Sequence, residues 1–408
     1  MVDFPDDFLL GLATSAHQVE GNNVNSDWWA FEHDPASGCP EPSGDGCDQL
    51  HRYRDDIRLF ADLGFNAYRF SVEWARIEPE PDRFSTAALD HYRRVAAACR
   101  ESGLVPVVTF NHFTLPRWLA ARGGWTSEEA SERFARYCER TARHLRGLIG
   151  AACTINEINL ALLVHFDGAE SPLRRGGGPG GATQVLPYPF CDPWRSRDVL
   201  LRAHRLGADA IRAAADVPVG LTLLMHQFDS LPGGEARSRA MQATVEDEFL
   251  EQARGDDFVG VQNYGRKLVG PEGVVQPPGE LDAMGTAQHP DAVGAAIRHA
   301  VAVSGRPVIV SEHGTCVEDE RRLEFLGVAL TTLGRCLEDG LPLRGYLYWS
   351  ALDNFEWRLG YGPKFGLIAV DRATQRRIPR ASAAWLGEVA RRIGRSRRPW
   401  DLRRSPGG

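Results

Sequence analysis

Lysine is nearly missing from this chain, which carries only Lys267 and Lys364 among its 408 residues. Arginine takes its place, a bias that reads as coding preference rather than function. Positive charge is not in excess either. The net charge of −7 gives no electrostatic argument for a nucleic-acid partner or an anionic membrane. No run approaches the roughly 18 apolar residues that a membrane span needs. The opening stretch MVDFPDDFLLGLATSAHQVEG has acidic residues where a secretory signal needs basic ones. The eight cysteines are dispersed and form no CxxC pair, so neither a disulfide framework nor a zinc site is expected. Cys39 and Cys47 read as free thiols. The first strand leads into ATSAHQVEG rather than the glycine-rich phosphate turn of a doubly wound fold. These absences point to a cytoplasmic protein with no cofactor, no metal and no membrane partner.

What is present is alternation. Strand-like runs fall at 8–15, 66–72, 104–110, 152–156, 217–224, 258–264, 307–311 and 344–350. Helical patterns lie between them near 50–63, 86–102, 127–149, 195–215, 237–253, 291–304, 321–339 and 380–394. Eight strands and eight helices in strict alternation predict an α/β fold, a single (β/α)8 TIM barrel. The barrel is expected over 1–394, followed by a basic, flexible tail over 395–408. The loop over 165–194, with LRRGGGPGGATQ, also reads as flexible. A second long loop, over 265–290, is rich in Gly and Pro.

Residues at the C-terminal ends of barrel strands share one mouth, where such folds carry out chemistry. The stretch VIVSEHGT ends the seventh strand with Glu312, followed by Gly314 where the chain is expected to turn. The fourth strand ends TINEIN, delivering Asn156 and Glu157. The other ends bring His17 and Gln18, Arg69, His112, Tyr264 and Trp349, with Glu356 and Trp357 in the loop after the eighth strand. Two opposed glutamates suit glycoside cleavage, retaining when about 5–5.5 Å apart and inverting when about 6.5–9.5 Å apart. Trp349, Trp357, Tyr264 and Phe113 offer flat faces for sugar rings. Gln18, His112, Asn156 and Glu356 offer hydrogen bonds to hydroxyls.

The chain resembles glycoside hydrolase family 1, the β-glucosidase family, from FLLGLATSAHQVEG to FGLIAVD. The stretches YRFSVEWARIEPEP, TFNHFTLPRWL, TINE, VSEHG and WSALDNFEWRLGYGPKFGLIAVD carry the likeness. The resemblance implies a retaining β-glycosidase acting by double displacement, with Glu157 as acid/base and Glu312 as nucleophile. It implies sugar contacts from Gln18, His112, Asn156, Trp349, Glu356 and Trp357, and support of the nucleophile by Arg69 and Tyr264. The expected partner is a small-molecule β-glycoside or oligosaccharide, not phosphorylated, because Glu356 would repel a 6-phosphate. A transglycosidase or natural-product tailoring enzyme on the same site is the alternative, and a sugar-binding pseudoenzyme a more distant one. Five positions depart from the family pattern: Glu73, Ile158, Asn159, Gln262 and His313. His313 reads either as a tuner of the nucleophile's charge or as packing. Loops that look shortened after the fourth and sixth strands predict an open entrance for a bulky aglycone.

Overall fold

The computed structural model describes residues 4–168, 171, 173, 186–393 and 402. In chain order its strands are β1 (Leu9–Ala13), β2 (Ala67–Ser71), β3 (Val105–Asn111), β4 (Ala151–Ile155), β5 (Val219–Leu224), β6 (Gln227–Ser230), β7 (Phe258–Asn263), β8 (Arg266–Val269), β9 (Val274–Val275), β10 (Val308–His313), β11 (Leu343–Trp349), β12 (Ile368–Asp371) and β13 (Arg376–Pro379). Eight of them close into the expected barrel, in the order β1-β2-β3-β4-β5-β7-β10-β11. Each matches one run read from the sequence. The strands are buried on both faces, which explains their continuous apolar character. Leu9, Ala67, Val107, Cys153, Phe258 and Ile309 fill the interior. A larger core lies between the sheet and the helices.

The helices start and stop where local chemistry dictates. Ser85 accepts from the Ala88 amide and opens Thr86–Glu101. Asp192 accepts from the Trp194 and Arg195 amides and opens Pro193–Ala215, whose first-turn proline has no amide to satisfy. Gly64, at φ 110°, closes Gln49–Leu63 in a conformation that a side chain would resist.

Several elements went unread in the sequence. A short helix, Leu160–Asp167, follows β4 directly. Strands β6, β8 and β9 form a separate sheet, which places two short strands, Arg266–Val269 and Val274–Val275, in the Gly/Pro-rich 265–290 stretch. Strands β12 and β13 form an antiparallel hairpin. The helix read over 237–253 is interrupted by a π-turn, Ala243–Asp247, between Glu235–Gln242 and Glu248–Gln252. The expected flexibility of LRRGGGPGGATQ concerns a stretch outside the described residues, apart from Leu173. The same holds for the C-terminal tail, apart from Leu402, which is buried. All eight cysteines are free. Among the described residues no helix is long and apolar enough to cross a membrane, and no side-chain group could hold a metal ion.

The π-turn carries Glu246 into the interior, where it accepts from the His226 amide at 2.8 Å and from Gln242 at 3.2 Å. Burial pushes its carboxyl up to about 8, far above the roughly 4.3 of an exposed glutamate. The fold therefore binds this proton more tightly than the unfolded chain does. Glu246 favours the fold fully below its unfolded value, and that contribution is lost as pH rises through about 8. The melting temperature should fall more steeply from pH 6 to pH 9 in the parent than in Glu246→Gln. Parallel melting curves would contradict this.

Candidate active site

Strict alternation along β10 would turn Glu312 the wrong way. Val308 and Val310 join the core shared with the helices, and Ile309 joins the interior core. By parity Glu312 would then face the helices. A register shift prevents this: Val310 pairs with Val261, and Glu312 pairs with the very next residue of β7, Gln262. Two steps of β10 match one of β7, which is a β-bulge, a device that re-aims a side chain beside a site. Glu312 consequently turns into the barrel. His313 turns to the helix layer, stacked on Phe325 at 4.7 Å and 3.1 Å from the Tyr346 hydroxyl. Burial pushes its imidazole down to about 3. His313 is thus a neutral packing residue, and the charge-tuning alternative is set aside.

Gly314 has a different reason from the expected turn. A Cβ there would stand 1.8 Å from the Trp349 carbonyl oxygen. It is the close approach of β11 that requires glycine.

Inside the barrel Glu312 is 3% exposed, and Arg69, from the middle of β2, is 0% exposed. Arg69 Nη1 donates to Glu312 Oε1 at 2.5 Å, and its Nη2 donates to Asn156 Oδ1 at 2.5 Å. The Tyr264 hydroxyl donates to Glu312 Oε2 at 2.7 Å. Gln262 Nε2 adds a second donor to Asn156 Oδ1 at 2.8 Å. With its oxygen occupied twice, Asn156 must present its amide nitrogen to the cavity, and that nitrogen lies 3.2 Å from His112 Nε2. Gln262, a departure from the family pattern, thereby fixes which way Asn156 faces.

Glu157 follows β4 in a left-handed conformation, φ 43°, which a residue with a side chain adopts only under constraint. Its carbonyl accepts from the Tyr188 hydroxyl at 2.6 Å, and its amide donates to Thr222 Oγ1 at 3.3 Å. Asn159, two residues on, donates to the Leu224 and Val245 carbonyls and accepts from the Leu224 amide. The unusual Ile158–Asn159 pair thus belongs to local architecture: Ile158 is buried in the core, and Asn159 ties the chain to β5 and the π-turn. Glu73, the other departure, is buried and accepts from the Thr114 hydroxyl and the Ala75 amide.

Electrostatics divides the two glutamates. Burial raises both carboxyls. Glu157 goes well above its ordinary value, pushed further by the charge of Glu312. Glu312 rises less, because Arg69 and Tyr264 hold its charged form.

The walls are aromatic. His112 stacks on Trp349 at 5.6 Å, and Trp357 lies against Trp28, Phe113 and His17 at 4.5, 5.0 and 5.3 Å. Glu356 receives Gln18 Nε2 at 3.3 Å, and burial together with Glu312 raises its carboxyl to about 8. One cavity is lined by His112, Asn156, Glu157, Tyr264, Glu312, Trp349, Glu356 and Trp357. Gln18 stands behind Glu356 and Arg69 behind Glu312, so every residue singled out from the sequence is brought to one place. Trp28, Tyr188 and the wall beyond Glu157 were missed, since nothing in their local sequence marks them. That wall comes from the helix Leu160–Asp167 and from the β8–β9 segment. The expected open entrance concerns in large part residues 169–185, most of which lie outside the described residues.

Comparison with known proteins identifies the family and the fold. Residues 1–266 and 301–395 match glycosyl hydrolase family 1. The chain is 32% identical to thermostable beta-glucosidase B of Thermobispora bispora, over 96% of this chain and 92% of that protein. It is 29% identical to beta-glucosidase A of Thermotoga maritima, over 96% and 98%. Among solved structures, beta-glycosidase BGL167 superposes with a TM-score of 0.91 at 50% identity, covering 97% of this chain and 99% of that one. The family 1 glucosidase of Thermotoga maritima bound to isofagomine lactam superposes with a TM-score of 0.84 at 27% identity, covering 96% and 99%.

The glycine after the bulge supplies a test. Gly314→Ala should lower the melting temperature, since forcing a methyl group into packed backbone costs about 1–3 kcal/mol or more. Gly327→Ala, in a helix with nothing within 4 Å of the added carbon, should leave it unchanged or raise it. Equal melting of both variants would contradict the close-approach account.

Proposed function

The chain belongs to glycosyl hydrolase family 1, and we propose that it hydrolyses non-phosphorylated β-D-glycosides by double displacement through a covalent glycosyl-enzyme. The observation that carries this reading is the unequal setting of two carboxyls in one cavity. Glu312 is gripped by Arg69 and Tyr264, while Glu157 is raised by burial and by Glu312 itself. The names of the relatives support a β-glucoside as substrate.

In this mechanism Glu157, protonated at rest, gives its proton to the departing glycosidic oxygen while Glu312 attacks the anomeric carbon. Formation of the ester removes the charge of Glu312, and with it one cause of the raised Glu157 pKa. Glu157, left ionised by its proton transfer to the leaving group, is then stable in its charged form and takes a proton from the incoming water, which cleaves the ester and restores Glu312. Asn156 Nδ2 is the donor to the sugar 2-hydroxyl. His112, Gln18, Glu356 and Trp357 bind the remaining hydroxyls, and Trp349 underlies the ring.

Exclusion of phosphorylated sugars does not rest on a charge carried by Glu356. With a carboxyl raised to about 8, Glu356 is largely protonated at neutral pH and does not itself repel a phosphate. The field that raises it does: burial and the charge of Glu312 both oppose added negative charge at that edge of the sugar.

Release of nitrophenol from 4-nitrophenyl β-D-glucoside should fall by at least about 10³-fold in Glu312→Gln, and the 6-phosphoglucoside should turn over more slowly than the glucoside. The reaction needs Glu157 protonated and Glu312 ionised. Activity should therefore be lost on the acid side as Glu312 gains a proton, and on the alkaline side as Glu157 loses one. The alkaline loss should lie above the ordinary carboxyl range. Near-parental activity of Glu312→Gln would sink the assignment.

A further inference from the structure

Four aromatic rings stand nearly parallel on the Trp357 side of the cavity. His17 and Trp357 are 5.3 Å apart with planes 5° from parallel, Trp357 and His112 are 6.2 Å apart at 11°, and His112 and Trp349 are 5.6 Å apart at 16°. Trp357, His112 and Trp349 line the cavity, and His17 is buried against Trp357. No step of the proposed reaction uses His17, so its setting needs another reason. Its Nδ1 accepts from Asn23 Nδ2 at 3.2 Å, and its Nε2 donates to Glu32 Oε2 at 3.1 Å. An amide nitrogen only donates and a carboxylate only accepts, so the two contacts fix which face of the ring points where. Glu32 is fixed in turn by the Ser43 amide at 3.1 Å and the Ser43 hydroxyl at 2.5 Å. Trp28 and Phe113 also touch Trp357, but at a slant, 54° and 52°. Of the two rings parallel to the indole, His17 is the one bonded at both nitrogens. His112 Nδ1 has no hydrogen-bond partner among the described residues.

We propose that His17 is a positioning residue: it sets the plane of Trp357, and so the direction in which the indole N–H meets a sugar hydroxyl. The proposal rests on the β-glycosidase reading of the same cavity and extends it to a residue outside the cavity lining. With both nitrogens taken, His17 has no atom left for substrate or for proton transfer, so it acts through Trp357. Trp357 needs such support, because its φ of 51° is a conformation that persists only where the surroundings over-determine it. The indole nitrogen is the single polar atom of that side chain and only donates. A hydrogen bond weakens steeply as its angle closes, whereas packing of a sugar against an aromatic face tolerates a small turn of the ring. Loss of the His17 face should therefore weaken recognition of one hydroxyl and spare the others.

The test uses 4-nitrophenyl β-D-glucoside and its 3-deoxy, 4-deoxy and 6-deoxy analogues. In each protein, kcat/KM for the glucoside divided by that for an analogue reports the worth of one hydroxyl. Because each ratio is internal to one protein, partial loss of folded enzyme leaves it unaltered. Trp357→Phe removes the indole N–H and identifies the hydroxyl that Trp357 binds, whose ratio should fall from about 10 in the parent to about 1. His17→Gln keeps polar partners for Asn23 and Glu32 but removes the ring. It should lower that same ratio to about 3 or less and leave the other two within about 2-fold of the parent. His17→Phe restores a flat face, and its ratio should lie closer to the parental value than that of His17→Gln. A parental ratio in His17→Gln, equal shrinkage of all three ratios, or no rescue by His17→Phe would overturn the proposal and leave the glycosidase reading intact. If no ratio depends on Trp357, its sugar contact falls and this proposal with it. No turnover of the glucoside by the parent would instead strike the glycosidase reading itself.

Discussion

A guanidinium with no exposure to water needs anionic or strongly polar partners, and in this fold those partners are the site. Arg69 is held inside the barrel by Glu312 on one branch and Asn156 on the other. Removing one member of such a buried pair costs about 3–5 kcal/mol, because the charge left behind has no water. Arg69 therefore ties β2 to β4 and β10 and fixes the separation of their ends. Tyr264 and Gln262 extend the network through β7. Four strands meet in one set of hydrogen bonds, so the position of Glu312 is set by the barrel rather than by a loop.

The same constraint orders the electrostatics. A carboxylate that is charged and gripped makes its neighbours reluctant to ionise. Glu157 and Glu356 are both raised with Glu312 as the second cause after burial. One charged group and two protonated ones can thus coexist in a cavity that would not tolerate three charges. Backbone strain is concentrated here as well: Phe113, Glu157 and Trp357 all take positive φ, at 71°, 43° and 51°, and all line the cavity. Such conformations persist where surrounding contacts over-determine them, as Tyr188 and Thr222 do for Glu157.

Much of this was legible in the sequence. The barrel strands announced themselves as short apolar runs, because burial on both faces leaves a continuous signal. The strand ends named residues that meet in one cavity, because a barrel brings those ends to one rim. Several features were not legible, each for a physical reason. The β10 bulge is a matter of register between two strands, and alternation alone would have aimed Glu312 at the helices. The contrast between His313 and Glu312 follows from that bulge and not from residue type. The wall of Leu163, Val164, Val274 and Met284 is assembled from segments about a hundred residues apart, one of them read as a loop because its glycines and prolines outweighed its short strands. The Lys267–Asp167 pair joins those same segments, and neither residue carries any local mark.

The central claim is that Glu312, held by Arg69 and Tyr264, forms a bond to the sugar. Incubation with 2-deoxy-2-fluoro-β-D-glucosyl fluoride, which slows release of the sugar more than its capture, followed by peptide mapping in a mass spectrometer, tests it most directly. The account predicts one fluoroglucosyl label per chain, on the peptide containing Glu312, and none in Glu312→Gln. A label on Glu157 or elsewhere, or one that persists in Glu312→Gln, would contradict it.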